Sequence, residues 1–380
     1  MIKRVLYFVW APIHRLPPCV AQVQQLRDFG IEVSVLSREI SPETAEIFRS
    51  RNISYETLPV ITRKNKVLQK GLNYLNYRRV FRQWFRKYWT DDSVLWIGSE
   101  MGAIKQWHFL KNHHPVIVNC LEFFEYDWYQ NAMKRISSDV DFLTACEPHR
   151  AQYMKDWWNL GSLPVVLRNK PYALSRSRNL EPTSPDVEKA LKKLENRHVL
   201  LYQGMISKER DLSPLAEGLK RSGSDWTLAL MGTDYIGDAG ASLQKIYPDT
   251  VYLGYFYPPH HFEITSHADI CVACYEENSI NTRYCAPNKI YEYAAFGLPM
   301  LCNDIPGLEE TVGRYHAGKC VNFHDPDQIA SAIRELTANY EDYSAGATRM
   351  YEETDNTAAM HQILKTVSSL STSGAGKHGR

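Results

Sequence analysis

Nowhere among the 380 residues is there an unbroken apolar run of the ~18 residues needed to span a membrane, so no membrane-crossing helix is expected. The short apolar run over residues 5–10 is cut at once by Pro12, His14 and Arg15, and it reads as a first strand rather than a signal peptide. Charge of one sign is also missing. With 44 Lys and Arg against 43 Asp and Glu, the molecule offers no general field for nucleic acid, and any electrostatic partner must meet a local patch. Cysteine provides no zinc site: of eight, only Cys271 and Cys274 share a Cys-x-x-Cys spacing, no second pair follows, and residues 269–275 read as a buried strand. Cys120, Cys146, Cys302 and Cys320 fall within apolar strand candidates, as small buried thiols of a reducing cytosol do. No Gly-x-Gly-x-x-Gly follows the first strand, which argues against a nicotinamide oxidoreductase.

What is present is alternation of strand and helix. Strands are expected over residues 5–10, 32–36, 94–98, 115–121, 139–145 and 164–168, with helices over about 18–29, 42–51, 67–89, 101–112 and 148–158. The strands are continuous apolar runs, the pattern of a parallel sheet covered on both faces. Residues 173–196 change character to Ser/Arg and Pro/Ser runs, then to a Lys/Glu-rich stretch, and read as a linker with a short surface helix. Alternation restarts over 198–203, 226–231, 250–253, 270–274, 299–302 and 319–322. The fold class is therefore α/β, with two Rossmann-like doubly wound domains, 1–172 and 197–351, facing a central cleft into which strand C-termini point. A helix over about 352–368 is expected to pack back on the first domain, and the Ser/Gly-rich tail 369–380 to be disordered.

The sharpest local signal is Pro287-Asn288-Lys289-Ile290-Tyr291-Glu292-Tyr293-Ala294-Ala295-Phe296-Gly297-Leu298-Pro299. A helix starting at Pro287 presents free backbone donors and the positive end of its dipole, a ready phosphate site. Lys289 adds a charge, and Glu292, one turn in, is placed to hold the hydroxyls of a ribose or sugar. The competing reading leaves Glu292 complementing the dipole and Lys289 solvating a helix end.

This stretch resembles the donor-site signature of retaining glycosyltransferases with the GT-B fold, in particular family 4, the glycosyl transferases group 1 enzymes. Other segments follow in the family's order: 201–210, with Gly204, Ser207, Lys208 and Arg210, resembles the first strand and loop of the donor domain, and Arg210 matches a basic residue directed at the diphosphate. The segment ending in Tyr257-Pro258 resembles the one beside the nucleotide base, and Ile305-Pro306-Gly307 the turn after the donor helix. The likeness covers about residues 110–325. It implies a nucleotide-sugar donor held by Gly204, Ser207, Lys208, Arg210, Tyr257, Asn288, Lys289, Ile290 and Glu292, with no cofactor and no metal, since cationic side chains take the diphosphate's charge. Three positions depart from the family: Tyr284 stands where a first glutamate is usual, Met205 where an arginine often follows the loop glycine, and the first loop, 11–18, lacks paired glycines.

In the first domain, Glu122 at a strand end is a candidate catalytic carboxylate beside Arg210 and Lys289, the alternative being an ordinary surface Glu. His14 and Arg15, after the first strand, are candidates for the acceptor. Residues 63–89 hold nine basic and seven aromatic side chains and no acid. Arg78, Arg79, Arg82, Trp84 and Arg86 there are expected to form an interfacial helix, rings at headgroup level and cations toward anionic lipid; rings in a core and charges in water is the alternative. The resulting expectation is a cytoplasmic enzyme, peripheral on the inner face of the cell membrane. It would pass a sugar to a glycan or lipid-linked acceptor in bacterial surface-polysaccharide synthesis, with retention and no nucleic-acid partner. An epimerase of similar fold and a non-catalytic sugar-nucleotide-binding subunit are the alternatives.

Overall fold

A computed structural model describes residues 2–223 and 225–373 as two compact units, one formed by the chain up to Tyr172 and again from Asp355, the other by Ala173–Thr354. The first unit carries β1 (Arg4–Val9), β2 (Glu32–Ser37), β3 (Ser54–Thr57), β4 (Ser93–Ile97), β5 (Val116–Cys120), β6 (Phe142–Ala145) and β7 (Val165–Val166), all parallel in the order β3-β2-β1-β4-β5-β6-β7. The second carries β8 (His198–Gln203), β9 (Trp226–Met231), β10 (Thr250–Gly254), β11 (Ile270–Ala273), β12 (Met300–Asn303) and β13 (Gly318–Val321), parallel in the order β10-β9-β8-β11-β12-β13. Each strand order reverses direction once, between β1 and β4 in the first sheet and between β8 and β11 in the second. Loops diverge at such a point and leave room for a ligand beyond the strand C-termini.

Strands β1, β4, β5, β8 and β9 are buried almost throughout, which is why they read as unbroken apolar runs. In the first unit a strand and a helix lie outside the expected set. Strand β3 is a polar four-residue edge, Ser-Tyr-Glu-Thr, and helix Asp127–Asp139 buries only Tyr129, Met133 and Ile136. That helix takes Asp139, so the strand expected from 139 begins at Phe142. The expected linker is not free either. Val187 and Ala190 of helix Pro185–Lys192, with Leu194, enter the core against β8 and β11, so residues 173–196 belong to the second unit. The returning helix is Thr357–Ser373, whose Met360, Ile363 and Val367 pack with Val5, Val23 and Val33 of the first unit. Most of the tail expected to be disordered, 374–380, lies outside the described residues.

Seven cysteines are buried as free thiols and Cys320 is half-buried. Close approach of the loops after β8 and β9 explains one glycine: a Cβ on Gly232 would lie 1.7 Å from the Gly204 carbonyl oxygen, so no side chain fits. Among the described residues no helix is long and apolar enough to cross a membrane.

Helix Lys66–Tyr88 corrects one expectation. Tyr77, Phe81, Trp84 and Phe85 recur at helical spacing and are buried, Phe81 against Phe8 at 4.7 Å and Phe109 at 5.0 Å. Trp84, expected at a lipid surface, is 1 % exposed. Its stripe faces the apolar side of the first sheet, because burying several rings there outweighs any gain at an interface. The opposite face keeps the charge: Arg78, Arg79, Arg82 and Arg86 line a surface groove of about 400 Å³.

Candidate functional site

Helix Asn288–Ala295 is capped by Pro287 in an extended conformation (φ −74°, ψ 139°), so Pro287 precedes the first helical turn rather than opening it. It ends at Gly297, whose φ of +64° is the left-handed conformation that closes helices, and Pro299 then leads into β12. The helix is buried along nearly its whole length, and its first turn lies beside the C-terminal ends of β8 and β11, at the strand-order reversal of the second sheet.

Lys289 is the centre of the arrangement. Its side chain is 8 % exposed, and Nζ has no hydrogen-bond partner among the described residues. It rests over the rings of Tyr202 at 5.1 Å and Tyr275 at 5.2 Å, and a Cβ built on Gly204 would come within 3.0 Å of it. The same Cβ would lie 3.7 Å from Nη1 of Arg210, whose guanidinium stacks over Tyr275 at 4.9 Å. Two cations thus converge on the glycine loop after β8. Burial, with Arg210 nearby, brings the Lys289 ammonium down from its ordinary 10.5 to about 8. Burial likewise pushes the Tyr202 phenol up to about 12 and the Cys274 thiol up to about 11, so both remain neutral. A buried ammonium without an anion is costly unless a ligand supplies one.

Glu292 is 3 % exposed. It accepts a hydrogen bond from Gln203 Nε2 at 2.7 Å and lies 3.5 Å from His261 Nε2, while Gln203 Oε1 accepts from the Thr265 hydroxyl at 2.9 Å. Gln203, His261 and Thr265 thus hold a carboxylate that the sequence presented alone. The Ile290 side chain is fully buried in the core, so it can offer a ligand only its backbone N–H. Asn288 is half-buried, Ser207 Oγ is buried without a hydrogen-bond partner among the described residues, and Lys208 and Tyr257 are exposed. Tyr257 meets Tyr255 edge-on at 4.8 Å.

A groove of about 250 Å³ opens beside Arg210, lined by Tyr275, Glu276, Glu277, Asn303 and His324 among others. The turn after β11 brings Glu276 and Glu277 to the Arg210 groove. Asn303 ties that turn down, its Nδ2 donating to the Tyr275 carbonyl at 2.7 Å and its Oδ1 accepting from the Tyr275 amide at 3.0 Å. Gly307 is required here, because a Cβ would lie 2.6 Å from the Cys285 backbone nitrogen just ahead of the helix. Sequence reading missed Tyr202 and Tyr275, whose signal was only that each lies near the end of a buried strand, beside a glycine or an acidic turn.

The first unit holds the remaining candidates separately. Glu122 is exposed after β5, with the buried Arg150 guanidinium 3.7 Å away. Its loop is anchored by Glu100, a buried carboxylate that accepts from the Leu121 amide at 3.1 Å and is pushed up by burial to about 7. His14 is buried, which lowers its proton affinity, and Arg15 is exposed.

Comparison with known proteins bears on this geometry. Residues 197–339 match the family described as glycosyl transferases group 1, a span that contains Gly204, Arg210, Lys289 and Glu292. No curated protein matches the chain in sequence. In structure, HepE of Anabaena, solved with UDP and glucose, is similar at TM-score 0.68 and 14 % identity over 97 % of this chain and all of that one. Sucrose-phosphate synthase of Thermosynechococcus elongatus is similar at TM-score 0.70 and 14 % identity over 98 % of this chain and all of that one. WaaG, a glycosyltransferase involved in lipopolysaccharide biosynthesis, is similar at TM-score 0.63 and 11 % identity over 96 % and 99 % of the two chains. The chain thus has the GT-B fold of glycosyltransferases, and its residues 197–339 match the glycosyl transferases group 1 family.

Proposed function

We propose that this enzyme transfers a sugar, with retention, from a uridine diphosphate sugar to a glycan or lipid-linked acceptor in bacterial surface-polysaccharide synthesis, working at the cytoplasmic face of the membrane. One observation carries the donor assignment: two convergent cations, Lys289 buried and without a hydrogen-bond partner among the described residues, beside a helix N-terminus at the strand-order reversal. A diphosphate supplies the negative charge that the ammonium lacks, and the first-turn backbone N–H groups donate to its oxygens. Arg210 and Lys289 then stabilise charge on the leaving diphosphate as the glycosidic bond breaks. Retention is supported by the likeness of the donor helix to retaining enzymes; UDP is supported by the UDP complexes of HepE, and the polysaccharide setting by WaaG. Donor binding is tested by thermal shift against UDP-, GDP-, dTDP- and ADP-sugars. A UDP-sugar at a hundred times its Kd should add about 2.7 kcal/mol of stability. No shift with any of the four removes the donor assignment.

Membrane association rests on the arginine face of helix Lys66–Tyr88, since its rings are committed to the core. Changing Arg78, Arg79, Arg82 and Arg86 to Gln together should leave the melting temperature nearly unchanged, because charges on an open surface add little to folding. Binding to anionic vesicles should fall at least ~100-fold, given roughly 1 kcal/mol per charge near such a surface, and parental binding should weaken as salt rises. Indifference of the parent protein to anionic vesicles at low salt would end this assignment.

A further inference from the structure

The loop after β5 carries an aromatic array that neither the donor site nor the core uses. Residues 121–126 run into helix Asp127–Asp139, and Phe124, Tyr126 and Trp128 follow at every second position. The Phe124 and Tyr126 rings lie 6.1 Å apart with planes 22° from parallel, and Tyr126 and Trp128 6.4 Å apart with planes 9° from parallel. Tyr126 is 62 % exposed and Trp128 55 %. Neighbouring exposed rings held nearly parallel form an ordered apolar face, a feature that soluble proteins keep chiefly for binding.

We propose that this face binds the sugar rings of a neutral glycan acceptor, an assignment that rests on the transferase reading above and names its second substrate class. The C–H bonds on one face of a pyranose carry partial positive charge and match the negative faces of aromatic rings. Its hydroxyls, turned outward, need acceptors, and Glu122, Glu125 and Asp127 alternate with the rings. No Lys, Arg or His lies between residues 115 and 133, and the Arg150 guanidinium beside Glu122 is buried, so the exposed charge of this segment opposes an anionic lipid surface or a phosphate group. Rings aimed at such a surface would be accompanied by cations, as on helix Lys66–Tyr88.

The array is also preorganised. Buried Tyr129 donates its hydroxyl to the Glu122 carbonyl at 2.9 Å, and Gln130 Nε2 donates to the Phe124 carbonyl at 2.6 Å. Glu100 holds the Leu121 amide from below. Few loop torsions remain to be frozen when a flexible sugar docks, which favours binding by a small contact area.

Saturation-transfer NMR of the full chain with maltotriose, cellotriose and chitotriose tests this directly. Transfer to at least one of them is expected, with a tenfold or greater loss of affinity in Tyr126→Ala/Trp128→Ala. Because both side chains are exposed, that variant should keep its melting temperature and its UDP-glucose thermal shift. Transfer to none of the three, or transfer that survives the double substitution, overturns the proposal. So does a double variant that keeps oligosaccharide contact and loses binding to anionic vesicles. A parent that shows oligosaccharide transfer without any UDP-sugar shift would sink the donor assignment and leave the aromatic face standing.

Discussion

Lys289→Met is expected to do two opposite things: weaken UDP-sugar binding by about 10- to 100-fold and raise the melting temperature of the ligand-free protein. The first follows from losing a charge-assisted bond to phosphate, on the order of 1.5–3 kcal/mol. The second follows from the ammonium's burial without a hydrogen-bond partner. Its fall from 10.5 to about 8 corresponds to roughly 3 kcal/mol of preference for the neutral form. Methionine fills similar space without that cost. The pH dependence has a definite sign. Between pH 8 and 10.5 the folded chain holds fewer protons at this site than the unfolded chain, so stability from this group grows as pH rises through that window and is lost as pH falls through about 8. Donor affinity should run the other way, declining as pH rises through 8 and the cation is neutralised. Calorimetry with UDP-glucose and melting curves from pH 7 to 10 measure both. A variant that binds donor normally, or that is less stable than the parent at pH 7, would show that Lys289 is a core residue.

Arg210→Ala should leave donor affinity within about tenfold and lower kcat by about 100- to 1000-fold, the range seen when one transition-state donor is removed. The two effects separate because negative charge on the bridging and terminal oxygens of the diphosphate grows as the anomeric carbon departs, and interactions that strengthen with it appear in kcat. The structure prepares Arg210 for this. Its backbone amide donates to the Ser207 carbonyl at 3.0 Å, and its guanidinium is stacked on Tyr275, so the side chain is placed before the ligand arrives. UDP release at saturating donor is the measurement; an unaltered kcat would exclude Arg210 from the chemistry.

Much of the architecture was legible because the strands of both sheets are buried on two faces. β8 and β9 fall on the expected residues, and the helices expected over 18–29, 42–51, 67–89, 101–112 and 148–158 begin and end within two residues of expectation, whereas the returning helix is displaced by five. The misses have physical causes. β3 pairs only with β2 at the sheet edge and needs no apolar run. Helix Asp127–Asp139 hides a short stripe among exposed polar side chains and Trp128. The arginines of helix Lys66–Tyr88 were read as a surface and lie on one, but Trp84 was placed with them although it sits on the opposite side of the helix, against the sheet.

Sequence by itself therefore determined the alternation of elements, the two sheets, and helix Asn288–Ala295 with its lysine, since local periodicity and turn chemistry act over a few residues. Tertiary structure alone decided the site's electrostatics. Tyr202 at the end of β8 and Arg210 in the loop that follows lie far in the chain from Tyr275 after β11 and from Lys289, and only the pairing of β8 with β11 in the sheet brings the two groups together. It is that enclosure, excluding water from Lys289 without giving it a carboxylate, that turns an ordinary helix-end lysine into a group that requires an anion.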